Sequence, residues 1–137
     1  MIDNLISILT TEEVELQKLL VLLENQHKLI VNKEVFKLEA IVDEIKLANK
    51  SVAQAEVARR KLVNGKTMKS VITETGNKDL DQAYRRIKRT LKSIEIQNET
   101  NDMLLKQQLI YTNKFQKVNY RNFYITHIFL FYLLIFY

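Results

Sequence analysis

The long stretch from Leu80 to Phe115 constrains the fold more than any other part of the chain. Apolar or seam-compatible residues recur in it at alternating spacings of four and three, and no Pro or Gly interrupts it. They are Leu80, Tyr84, Ile87, Leu91, Ile94, Asn98, Asn101 and Leu105. This period is typical of an α-helix with one buried stripe, here called the seam. Such a helix is about 54 Å long, so it must pack lengthwise against other helices.

Two further stretches have the same period and predict two more long helices, at about residues 3–31 and 33–63. The first carries Leu5, Leu9, Leu16, Leu19, Leu23 and Ile30, and the second carries Leu38, Ile41, Ile45, Ala48, Val52, Ala55 and Leu62. The polar break between them is short, which predicts an antiparallel hairpin. Thr10 and Glu13 have the spacing of a capping box, which predicts that the first turns form a separate or frayed segment.

The chain has two glycines and no proline, and both glycines lie in one predicted loop at residues 64–78. Gly65 has the position of a C-terminal cap for the second helix. The apolar pair Val71 and Ile72 predicts a short helical turn that covers one end of the bundle. Asn77 or Asp79 can cap the third helix, predicted at about residues 79–117.

These elements predict an all-α fold: an elongated antiparallel three-helix bundle or coiled coil over residues 1–117. Residues 118–137 form an irregular tail that contains eight of the twelve aromatic residues, and no acidic residue follows Asp102. Three interpretations fit the tail: the product of a shifted reading frame, a membrane anchor, or a segment that folds back into a groove of the bundle. The nearly continuous apolar run begins at Phe123 and is shorter than the ~20 residues that a membrane-spanning helix needs.

The residues with catalytic or metal-binding chemistry are few and scattered. Cysteine is absent, which fits a reducing cytoplasm, and His27 and His127 lie far apart in the sequence. No glycine-rich phosphate loop or nucleophile elbow is present. The acidic run at Glu12, Glu13 and Glu15 is interpreted as a solvated helix start. We therefore expect a binding protein and not an enzyme, without a metal or another cofactor.

The chain carries a net charge of +5, from 21 basic and 16 acidic residues. The densest basic cluster consists of Arg85, Arg86, Lys88, Arg89 and Lys92. Because the nearest aromatic, Tyr84, belongs to the seam, we interpret the cluster as a solvated helix face, and no nucleic acid is expected as a partner. The alternative is a protein that binds nucleic acid or anionic lipid through this cluster.

Asn98 and Asn101 occupy seam positions where leucines are expected. A polar residue in an apolar seam often fixes the register of helix pairing. Alternatively, the bundle ends near Ile94 and the helix projects beyond it. The leucines that follow would then form an exposed apolar patch, which usually marks a partner site. They include Leu104, Leu105 and Leu109.

From about residue 5 to residue 113, the chain resembles the FlgN-like flagellar type III export chaperones. The resemblance rests on the leucine-rich first helix, on residues 38–63, on the loop at residues 67–72 and on the run Asn98-Glu99-Thr100-Asn101-Asp102-Met103-Leu104-Leu105. That run is similar to the family's Asn-x-x-Asn-x-x-Leu-Leu pattern, and Leu109 and Tyr111 follow it.

The resemblance implies a cytoplasmic chaperone that binds the C-terminal helices of hook-associated proteins, prevents their premature assembly and delivers them to the export gate and its ATPase. The residues expected to contact this cargo are Asn98, Asn101, Leu104, Leu105 and Leu109. This interpretation requires that the far half of the third helix leave an apolar strip uncovered. A homodimer paired through the seams remains open, as does the rival interpretation of a tail-anchored coiled-coil protein.

Overall fold

The computed structural model describes residues 1–109, which form four α-helices: α1 (Ile2–Val31), α2 (Val35–Val63), α3 (Met68–Thr75) and α4 (Lys78–Leu109). The all-α class and the three long helices are confirmed. Residues 110–117 of the predicted third helix and the tail at 118–137 lie outside the described residues. The expected separate first segment is wrong, because α1 is continuous from its start. Thr10 Oγ1 donates a hydrogen bond to the Ile6 carbonyl within that helix.

The connection between α1 and α2 is a tight reversal at Asn32–Glu34. Lys33 has a positive φ of 56°, and the Glu34 N–H donates a hydrogen bond of 3.0 Å to the Leu29 carbonyl. The chain therefore turns back directly, and Ile30 of α1 packs in one cluster with Leu38 of α2. The predicted antiparallel hairpin is confirmed.

At the end of α2, the cap is Asn64 and not the expected Gly65. Asn64 has a φ of 54° and the following Gly65 a φ of 79°, so two consecutive residues are left-handed. Asn adopts this conformation more readily than most residues and Gly does so without a steric penalty. The pair redirects the chain toward α3, which starts at an N-cap: Thr67 Oγ1 accepts a hydrogen bond from the Ser70 N–H at 3.1 Å.

The predicted turn at Val71 and Ile72 is a helix of two turns, α3, packed against one end of the bundle. Met68 and Val71 of α3 are buried in the core. The loop that precedes α3 is tied to it by an ion pair. Lys66 lies 3.0 Å from Glu74, and this hydrogen bond and charge lower the pKa of the Glu74 carboxyl.

Gly76, with a φ of 61°, ends α3, and Asn77 caps α4 as expected. Asn77 Oδ1 accepts a hydrogen bond of 3.0 Å from the Leu80 N–H. This contact satisfies one of the backbone donors that every helix start leaves unpaired.

Helix α1 is central: it packs along both α2 and α4, whereas α2 and α4 approach each other less closely. Helices α1 and α4 run parallel, since Glu13 pairs with Arg86 near one end and the Ile30 carbonyl accepts from Gln108 near the other. We call the end that holds α3 the basal end. The distal end is where α1 meets α2 and where α4 reaches its last described residue.

The apolar core has two parts. The main core combines buried residues from all four helices, and it includes Leu16 and Leu19 of α1, Ile45 of α2, Val71 of α3 and Ile87 of α4. A separate distal cluster consists of Ile30, Leu38 and Leu105. The seam of α4 is buried as its period predicts, with Tyr84 half-buried at its flank.

The basal half of the core contains buried charges that the sequence patterns did not predict. Ala55 and Leu62, expected in the α2 seam, are half-buried, while Glu56 and Arg59 are buried there. Arg59 donates to both Glu56 carboxylate oxygens, at 3.2 and 2.6 Å. Glu12, expected in a solvated acidic run, is also buried. Helical periodicity places apolar residues well, but it does not detect a charge that is buried beside its partner.

Candidate functional site

The five residues expected to contact a partner lie in the distal half of α4, around a polar layer in the bundle. Gln26, Asn98 and Asn101 are buried there. Along α4, Asn98 and Asn101 lie between Ile94 of the main core and Leu105 of the distal cluster, and Gln26 faces them from α1. The core is therefore interrupted by amide side chains near the distal end.

Asn101 fixes the pairing of α4 with α1. Its Nδ2 donates to the Leu23 carbonyl at 2.8 Å and to Gln26 Oε1 at 3.0 Å, and its Oδ1 accepts from Gln97 at 2.9 Å. A shift of α4 by one helical turn along α1 breaks both contacts of Nδ2 with α1 and leaves this buried donor without a partner. The geometry agrees with the interpretation of Asn101 as a register residue.

Asn98 lacks this satisfaction. Its Nδ2 is buried and has no hydrogen-bond partner within residues 1–109. Two more buried polar atoms in the distal half share this state, His27 Nδ1 and Gln108 Oε1. An unpaired buried donor or acceptor costs about 1–3 kcal/mol. The distal half is thus held less firmly than its burial suggests.

The alternative in which the bundle ends near Ile94 is wrong. Leu105 is only 4% exposed, because it packs with Ile30 and Leu38. Leu104 is half-buried beside the same cluster, and the side chain of Leu109 lies outside the described residues. The expected uncovered leucine strip is therefore closed at Leu105 by α1 and α2 and half-covered at Leu104. A role of the five residues in cargo contact stays a prediction.

Apolar side chains are nevertheless exposed around the distal half. Ile96 and Met103 of α4 are 54% and 63% exposed. They are seven positions apart in the sequence, so they lie on the same outer face of the helix. At the same end, Val31 is the last residue of α1 and is 54% exposed. Phe36 lies in the first turn of α2 and is 88% exposed. Together with half-buried Leu104, these residues offer apolar surface to a partner, and sequence periodicity singled out Leu104 alone.

The described residues offer little for catalysis or metal binding. No group of three His, Cys, Asp or Glu side chains within residues 1–109 could hold a metal ion. His27 is half-buried at the rim of the bundle, as the sequence suggests.

The basic cluster of α4 lies at the basal end. Arg85, Lys88, Arg89 and Lys92 are exposed and Arg86 is half-buried, which agrees with a solvated face. The Tyr84 ring contacts the cluster, since Lys88 Nζ lies 5.8 Å from the centre of this ring. Sequence spacing assigned Tyr84 to the seam. Its ring is half-buried and contacts both the main core and the Lys88 side chain.

A family model described as FlgN protein matches residues 1–119 of the chain. No curated protein and no solved structure matches the chain. Within residues 1–109, none of the helices has both the length and the apolar character needed to cross a membrane.

Proposed function

The chain belongs to the FlgN protein family, a family of flagellar export chaperones, and from this premise we propose that it binds the C-terminal helices of hook-associated proteins. Bound subunits are kept from premature assembly in the cytoplasm and are brought to the type III export gate and its ATPase. A chaperone acts here by covering apolar helix surface and not by a chemical reaction.

The observation that carries this proposal is the family match, which covers residues 1–119. The bundle is compatible with it in a specific way. A subunit helix that normally packs into a filament exposes an apolar stripe when it is alone, and an elongated helical bundle can pair with that stripe along its length. Leu105 of the expected leucine strip is covered within the chain, so the strip adds no independent support to the proposed cargo binding.

We place cargo binding at the distal half of α4. Among residues 1–109, the buried residues of the distal cluster are Ile30, Leu38 and Leu105, with Leu29, Val35 and Leu104 half-buried beside them, and the polar layer separates the cluster from the main core. A cargo helix can first contact exposed Met103 and half-buried Leu104. It can then replace the contacts that this small cluster makes within the chain. In this arrangement Asn98 and Asn101 mark the boundary between the part of α4 that stays packed and the part that receives cargo.

The test is the affinity of the full chain for a purified C-terminal helical segment of a hook-associated protein from the same organism, measured by isothermal titration calorimetry. We expect Leu104→Asp to weaken binding roughly ten- to hundredfold, because burying a leucine contributes about 1.5–3 kcal/mol. The matched control is Leu22→Asp. Leu22 is also half-buried, but it packs against the main core on α1.

Circular dichroism of both variants shows whether the helices remain formed. Equal affinities of the wild-type chain and Leu104→Asp contradict the distal location. If the wild-type chain binds no hook-associated segment, the assignment of the cargo is wrong whatever the variants do.

A further inference from the structure

A second surface lies at the basal end, in a shallow cleft between α3 and α4. Helix α3 contributes Lys69 and Ile72 to its wall, and α4 contributes Tyr84, Arg85, Lys88 and Arg89. The cleft exists because Met68 and Val71 anchor α3 in the core, which leaves the outer side of α3 facing the basic side of α4. Because α3 lies against α4, Lys69 of α3 joins the basic cluster that the sequence places on α4 alone.

The cleft is strongly positive after its internal pairing is counted. Arg85 Nε lies 3.1 Å from Asp81 Oδ2, so the charge of Arg85 is balanced within the cleft. Within residues 1–109, Lys69, Lys88 and Arg89 form no ion pair. Three cations thus face solvent together in a concave surface, where they repel one another and attract an anion.

The cleft also has an apolar component. Ile72 and Tyr84 are half-buried in its wall, and the Tyr84 ring lies beneath the Lys88 ammonium. Cations at the rim and apolar groups in the wall match a segment in which acidic residues accompany a large apolar side chain. Arginine binds carboxylates through its planar guanidinium, and lysine contributes a point charge.

We propose that this basal cleft binds an acidic segment of another polypeptide, with an apolar side chain of that segment packed against Ile72 and Tyr84. A polynucleotide fits less well, because its binding needs a longer row of cations than Lys69, Lys88 and Arg89 provide. Arg85 and Leu105 are separated by about 30 Å along α4. The cleft can therefore be occupied together with the distal end, and the proposal does not depend on the function assigned to that end.

The probe is a fluorescein-labelled peptide of Glu-Leu-Asp repeats, titrated with the full chain and followed by fluorescence anisotropy. We expect saturable binding that weakens as the ionic strength rises. The double variant Lys88→Glu/Arg89→Glu should bind at least roughly tenfold more weakly. The control double variant Lys28→Glu/Lys50→Glu makes the same charge change at exposed positions of α1 and α2, and it should change affinity less than roughly twofold.

A peptide with Gln and Asn in place of the acids, a single-stranded RNA and phosphatidylserine-containing vesicles are titrated in parallel. Preference for the acidic peptide, lost only in the Lys88 and Arg89 variant, supports the proposal. Absent peptide binding, an equal loss in both double variants, or tighter binding of RNA or vesicles than of peptide overturns it.

Discussion

At the residue scale, the buried ion pair Glu56–Arg59 of α2 is the contact whose loss we expect to destabilise the bundle most. Glu56 and Arg59 are each about 2% exposed at their side chains and 2.6 Å apart, and Arg60 adds a contact of 2.8 Å to the same Glu56 oxygen. Taking charges out of water is costly, so such a pair is tolerated only when its hydrogen bonds are made. Its members therefore depend strongly on one another.

We expect Arg59→Met to lower the free energy of unfolding by roughly 3–5 kcal/mol, because it leaves the Glu56 carboxylate buried without its main partner. Urea unfolding followed by circular dichroism measures the change. Lys61→Met on the same helix is the control, since Lys61 is exposed and its loss should cost less than about 0.5 kcal/mol. Equal midpoints for the two variants would show that the buried pair does not stabilise the fold.

At the scale of the element, α4 carries two asparagines that look equivalent in the sequence but differ in the structure. Asn101 makes three hydrogen bonds with its amide group, whereas Asn98 leaves its Nδ2 unpaired within the described residues. The seam period placed both positions in one stripe of the helix and left open whether the bundle extends as far as they do. It did not predict which of them is satisfied, because that depends on the neighbouring Gln26 and the Leu23 carbonyl of α1.

The two positions should respond to the same substitution with opposite signs. Asn98→Leu should stabilise the chain by about 1–3 kcal/mol, because it removes an unpaired buried donor and adds apolar surface. Asn101→Leu should destabilise it, since Gln26 Oε1 and the Gln97 amide lose their partner. Thermal and urea unfolding of both variants measure the difference, and changes of the same sign would contradict this assignment of roles.

At the scale of the whole molecule, stability is distributed unevenly along the bundle. Within residues 1–109, the main core draws on all four helices, whereas the distal cluster has three buried residues and lies beyond the polar layer. Local opening is cheapest where few apolar contacts are broken. The distal half should therefore open without unfolding of the basal half.

Native-state hydrogen exchange followed by mass spectrometry measures this difference. We expect backbone amides of residues 98–105 to exchange at least roughly tenfold faster than those of residues 87–94, because about 1.4 kcal/mol less is needed to expose them. Both segments belong to α4, which makes residues 87–94 an internal control. Uniform protection along α4 would contradict a distal end that opens to receive cargo.

The sequence by itself determined the three long helices, the hairpin between the first two, a cap at Asn77 or Asp79 and the resemblance to the export chaperone family. These features depend on local geometry: the period of the α-helix, the length of a connection and the backbone preferences of a few residues. Each of them can be read within one stretch of chain.

Only the tertiary structure decided that Leu105 of the distal leucine strip is covered, that Glu12 and the Glu56–Arg59 pair are buried, and that Lys69 joins the basic surface of α4. Each of these depends on where a remote helix lies, and helical periodicity specifies a face but not the element that covers it. Packing among α1, α2, α3 and α4 sets which polar groups find partners and which apolar groups stay open to another protein.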